Sequence, residues 1–144
     1  IVGDGELGRQ DRPFLPTSER DYHGFGLRSE YKQKQFRVMA QMSFHMNFNS
    51  VSLFQHSSRT RNYTVDGTWT PSTKFAIDAG YQKLHLDSIT GLAYFANFNL
   101  IENDRSFYVS NVHGAHAGLR WQLARKLDVY SGLALTKDTA ASRA

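Results

Sequence analysis

His113 and His116 stand three residues apart in the stretch HGAH and invite a metal-site reading. On a strand, residues three apart point to opposite faces, so the two rings cannot share an ion unless a bulge turns one of them. Asp66, Asp78 and Asp128, with Arg37 and Arg120 on other segments, offer a second chemistry: paired carboxylates acting as acid and base. The same residues also suit a polar wall in which opposed charges on neighbouring strands satisfy one another. The wall is the expectation here, and neither catalytic nor metal-ligating residues are assigned. No serine stands in a GxSxG context. GDGELG, with Gly3, Gly5 and Gly8, resembles a dinucleotide fingerprint only in its glycines, because neither a strand before it nor a helix after it is indicated. His45 and Met39 fall on one side of their segment, yet without cysteine there is no CxxCH attachment, and any haem would come from a partner. No cofactor of the chain's own is expected.

Composition narrows the class. The 144 residues are 40% hydrophobic, 21% charged and 13% aromatic, the proportions of one folded domain. Zero cysteines exclude disulfides, thiolate catalysis and cysteine zinc sites. Net charge is +4, but the basic residues are scattered among acidic ones, which argues against a nucleic-acid partner. No apolar run reaches the length of a membrane helix, and mean hydropathy is −0.50. That measure is blind to barrel strands, whose alternation averages hydropathy away. The chain opens Ile1-Val2-Gly3-Asp4, without an initiator Met or a basic and apolar leader, and reads as processed or as an internal piece.

The elements that must position these side chains have a period of two. Phe36, Val38, Ala40, Met42, Phe44, Met46 and Phe48 alternate with Arg37, Met39, Gln41, Ser43, His45, Asn47 and Asn49. Such a strand extends about 43 Å, and a tilt near 45° would bring it to about 30 Å of membrane depth. Around Pro71-Ser72-Thr73-Lys74 a hairpin is predicted, with Tyr63, Val65, Gly67 and Trp69 leading in and Phe75, Ile77, Ala79 and Tyr81 leading out on the apolar side. A third hairpin runs from Phe107 to Thr136 with its turn at Ala124-Arg125-Lys126, and an earlier strand begins after Arg20 and turns at Gln33-Lys34-Gln35. Residues 1–19 are expected to be loop, 20–136 to carry the strands, and 137–144 to be an unstructured tail. Residues 50–61 are expected as a longer loop, and 87–106 as an excursion with local strand or helix.

The fold class that follows is all-β: an antiparallel up-and-down transmembrane β-barrel with six or seven strands here. Short turns at one end alternate with long segments at the other, as in outer-membrane barrels. Trp69 and Trp121 both lie beside short turns and are expected in one aromatic girdle. The opposite faces put Arg37, Gln41, His45, Asp66, Asp78, Arg120 and Asp128 toward a polar lumen. Single-chain barrels start at eight strands, and this chain closes on a charged, Ala-rich stretch instead of an amphipathic strand with a terminal aromatic. It is therefore expected to be part of a larger barrel, completed by the remaining barrel strands or by identical subunits.

FNSVSLFQHSSRTRNYTVDGTWTPSTKFAIDAGYQKLHLDSITGLAYF, SFYVSNVHGAHAGLRW and LDVYSGLALTKDT resemble the late strands of large bacterial outer-membrane β-barrel proteins. More distantly they are similar to the barrel sheaths of multihaem electron conduits. The resemblance implies a bacterial outer-membrane location, a lipid bilayer as partner, a non-enzymatic pore or scaffold wall, and room for a periplasmic or cell-surface partner protein. Two alternatives follow: a sheath around a haem-bearing electron-transfer partner, or a soluble β-sheet domain that binds a ligand.

Overall fold

The structure, a computed structural model, describes residues 1–9, 21–49, 56–96 and 99–143. Over these residues the chain forms one antiparallel sheet of seven strands: β1 (Val2–Arg9), β2 (Asp21–Gln33), β3 (Phe36–Asn49), β4 (His56–Ser72), β5 (Phe75–Ala96), β6 (Asn99–Ala124) and β7 (Leu127–Arg143). Each strand pairs with the next in sequence, giving an up-and-down order from β1 to β7. No pairing joins β1 to β7, so the sheet is open rather than a closed barrel.

The three short turns fall at Lys34-Gln35, Thr73-Lys74 and Arg125-Lys126. They are tied side by side: the Thr70 amide donates to the Gln35 carbonyl at 2.7 Å and the Gln122 amide to the Lys74 carbonyl at 2.8 Å. The Gln35 side-chain amide also donates to the Pro71 carbonyl at 3.2 Å. Beside Pro71, which has no amide to give, the ladder shifts register between Trp69 and Ser72.

Four expectations about segments are corrected or extended. Residues 2–9, expected as loop, form β1, paired with β2 from Val2↔Arg28 to Arg9↔Asp21. Their glycines conceal a strand because they contribute no alternation, yet Gly8 leaves the space in which the Tyr22 ring lies. The remainder of the expected loop, 10–19, lies outside the described residues. The tail from Lys137 is not unstructured either, since β7 continues to Arg143 and pairs with β6 as far as Phe107. A long neighbouring strand supplies its hydrogen bonds, which Ala and Ser accept without adding a sequence signal of their own. Of the expected 50–61 loop, residues 56–61 belong to β4. Within the excursion over 87–106, residues 87–96 and 99–106 are strand, extending β5 and β6 through a register shift between Leu92 and Tyr94.

Register stacks the alternating sets. Phe25↔Phe44, Leu27↔Met42 and Tyr31↔Val38 place the apolar sides of β2 and β3 together. Ala40↔Val65 and Phe36↔Trp69 carry that face to β4, Trp69↔Ile77 to β5, Phe75↔Trp121 to β6 and Ala117↔Leu133 to β7. A shift of one residue at any seam would have sent one strand's apolar set to the other face. At the short-turn end Phe36 stacks on Trp69, with ring centroids 5.9 Å apart, and Trp69 meets Phe75 edge-on at 6.3 Å. Trp121, paired with Phe75, completes an aromatic row across β3 to β6.

This face has no covering layer among the described residues. None of their hydrophobic side chains is buried, and Phe25, Trp121 and Leu133 are 49%, 49% and 63% exposed. Higher on the sheet its character changes. Val65, Tyr81, Ala115 and Leu135 form one row, whereas the next contains Tyr63, Lys83, His113 and Lys137. Beyond it come Arg61, His85 and Asn111, while Leu84, Leu86 and Val112 occupy the opposite face. Polarity thus exchanges sides along β4 to β6. At about 3.3 Å per residue the 26 residues of β6 extend about 86 Å, far more than the roughly 30 Å of a bilayer's hydrocarbon.

Candidate functional site

One face of the sheet carries the side chains expected on a polar surface, most of them near the short turns. Arg37, Gln41 and His45 project from one side of β3, and Met39↔Asp66 places Asp66 on the same face of β4. Thr68↔Asp78 and Asp78↔Gly118 extend it through β5 to β6, where Arg120 follows, and Gln122↔Asp128 reaches β7. All seven residues expected on a polar surface therefore share one face of the sheet. His113 and His116 are divided between faces, as strand geometry requires.

Two glycines let these side chains lie across the sheet. Gly80 sits between Asp66 on one neighbouring strand and His116 on the other, and a Cβ there would collide with both. Across that gap His116 Nε2 approaches Asp66 Oδ1 at 3.7 Å. Next to it, the Asp78 carboxylate leans over Gly118, both oxygens 2.6 Å from where a Cβ would stand. A side chain at either glycine would force the acid upright and away from its neighbours. Glycine lowers strand propensity, so a packing role accounts for its presence here.

Side-chain contacts on the face cross the seams between strands. Arg37 Nε donates to Glu30 Oε1 at 2.8 Å across the β2–β3 seam. Both groups are substantially exposed, so solvent screens the pair and its contribution to stability is small, about 0–1 kcal/mol. Asp66 and His116 form the second pair, and Asp78 and Arg120 border a recess of about 380 Å³ that also includes Thr68, Ala76 and Tyr130. Asp128 stands apart near the turn, paired in register with Gln122. Asp66 and Asp78 are diagonal neighbours, but one faces His116 and the other lies over Gly118. The recess offers a carboxylate, a guanidinium and a phenol at the surface of a sheet.

Toward the long end, His45 stacks on Tyr22 with ring centroids 6.0 Å apart. His56 Nδ1 and Thr90 Oγ1 lie 2.9 Å apart across β4 and β5, and burial holds the His56 imidazole below its ordinary value of 6.5. Among the described residues no three His, Asp or Glu side chains gather as metal ligands. Trp69 and Trp121 are on the apolar face, at the same short-turn end.

Glu30, Gly80 and Gly118 were not singled out by reading the sequence. Glu30 stands opposite Met39 and reaches Arg37 diagonally, a relation fixed by register. The two glycines carry no chemistry of their own, so only cross-strand neighbours reveal what they admit. No protein-family model, curated protein or solved structure matches the chain.

Proposed function

We propose that this chain is a wall segment of a bacterial outer-membrane β-barrel, a non-enzymatic pore or scaffold whose polar face lines the interior. The observation that carries the reading is the uncovered apolar face, continuous over β2 to β7 and giving way to charged residues on β4 to β7. A sheet in water buries such a face against a second layer, while a sheet in a bilayer presents it to hydrocarbon. The aromatic row of Phe36, Trp69, Phe75 and Trp121 fits the girdle at one interface. The opposite face carries Arg37 beside Glu30 and His116 beside Asp66, a suitable surface for a water-filled lumen.

The test is placement of an arginine. Val38→Arg, between the aromatic row and the basic row on the face assigned to lipid, should cost about 2–4 kcal/mol in vesicle-embedded unfolding, whereas Gln41→Arg on the polar face should be mild. Equal tolerance of the two faces would reject the orientation. The full-length protein in planar bilayers should also produce conductance steps; a stable insertion that never conducts leaves the wall as scaffold and removes the pore.

A further inference from the structure

We infer that the loop-proximal part of the apolar face binds phosphate-bearing lipid headgroups through Arg59, Arg61, Lys83 and Lys137, an inference that rests on the membrane reading above. Register brings these residues together although they come from three strands. Lys83 and Lys137 flank His113 in one row, and Arg61 and Arg59 rise from β4 in the next two rows. At about 4.8 Å between strands, Lys83 and Lys137 are about 10 Å apart at the backbone, a span that long side chains can close around one headgroup.

Three observations favour an anion carried by lipid. First, the basic residues begin one row beyond Val65, Tyr81, Ala115 and Leu135, where an apolar band gives way to the interface. Second, Tyr81 Oη lies 2.6 Å from His113 Nδ1, so the tyrosine points its polar end toward the basic row while its ring stays with the apolar residues. Third, none of the four cations makes an ion pair among the described residues. Asp87, opposite Arg59, is the carboxylate on this part of the face, and it is engaged by His85 Nε2 at 3.5 Å. Unpaired cations in a row next to hydrocarbon match the negative layer of phosphates in a leaflet. Their stems can lie on the apolar band with the charged ends raised toward that layer.

The experiment uses the full-length protein in vesicles of phosphatidylcholine and in vesicles of equal parts phosphatidylcholine and phosphatidylglycerol. Spin-labelled lipids of both headgroups report which is held at the protein surface. The protein should float with both vesicles and immobilise the phosphatidylglycerol label in several-fold preference, with the preference shrinking as salt is raised. In the variant R59Q/R61Q/K83Q/K137Q the preference should fall to about one, and K83Q alone should lower it in part. Failure to float with either vesicle would overturn the membrane reading itself. Flotation with both, but with equal immobilisation or a preference that the charge-neutralised variants retain, would overturn the headgroup site alone.

Discussion

At the scale of single residues, the polar face depends on what is absent from Gly80. Local preference and cross-strand packing make opposite forecasts for Gly80→Val. Valine suits a strand better than glycine, but its Cβ would collide with Asp66 and His116. The colliding atoms are the ends of exposed side chains that can swing aside, so Gly80→Val should separate the His116–Asp66 pair and forgo most of the gain in strand preference. Gly114→Val provides the comparison, because nothing lies within 4 Å of the Cβ it would add. That substitution should be neutral or slightly stabilising, and thermal unfolding of the two variants reads the difference. His56 supplies a pH dependence. It lies on β4 beyond the Tyr63 row, at the loop end, and burial depresses its pKa from 6.5. The unfolded chain therefore takes up the proton first as pH falls. The His56 contribution is complete above about pH 6.5 and declines as pH drops through the window below it. His56→Gln should remove that component from a plot of urea midpoint against pH, while an unchanged slope would assign the dependence to other groups.

At the scale of elements, the short turns set the height of the aromatic row. Backbone bonds from Thr70 to Gln35 and from Gln122 to Lys74 link adjacent turns and keep the strands in step. Trp69 and Trp121 consequently lie one row apart on the same face of β4 and β6, and they are the only tryptophans in the chain. In vesicles containing lipids brominated close to the headgroup, both should be quenched, each more strongly than by lipids brominated at the chain ends. Single-tryptophan variants made by Trp→Phe separate the two signals. Quenching of one and not the other would mean that the row does not share a depth. The long end of the sheet behaves differently: β5 and β6 run past the apolar band and exchange the polarity of their faces, which suits strands leaving hydrocarbon for water.

At the scale of the whole molecule, the open edges decide what completes the wall. Six successive antiparallel steps leave β1 and β7 pointing the same way. Identical subunits arranged around a common axis would therefore join β7 to β1 in parallel, whereas an odd number of additional strands closes an all-antiparallel ring. On the membrane reading the outward amides of β7 need partners, because an unpaired edge in hydrocarbon is costly. In the membrane-embedded protein those amides should exchange with deuterium as slowly as the amides of β6. Rapid exchange confined to alternate residues of β7 would show that its outer edge faces water.

Much of this was legible in the order of residues. The alternation from Phe36 to Phe48 fixed a strand and its two faces, the turn residues at Pro71 to Lys74 fixed a hairpin, and the period of two kept His113 from His116. These are local consequences of a backbone whose side chains alternate. The strand at Val2–Arg9 and the extension of β7 to Arg143 were not legible, since glycine- and alanine-rich segments take their conformation from the hydrogen bonds of a neighbour. Tertiary pairing alone decided that Arg59, Arg61, Lys83 and Lys137 share a surface, and that Gly80 stands between an acid and a histidine. A strand's own sequence states which side each residue takes, but register states which residues meet, and that depends on every seam of the sheet at once.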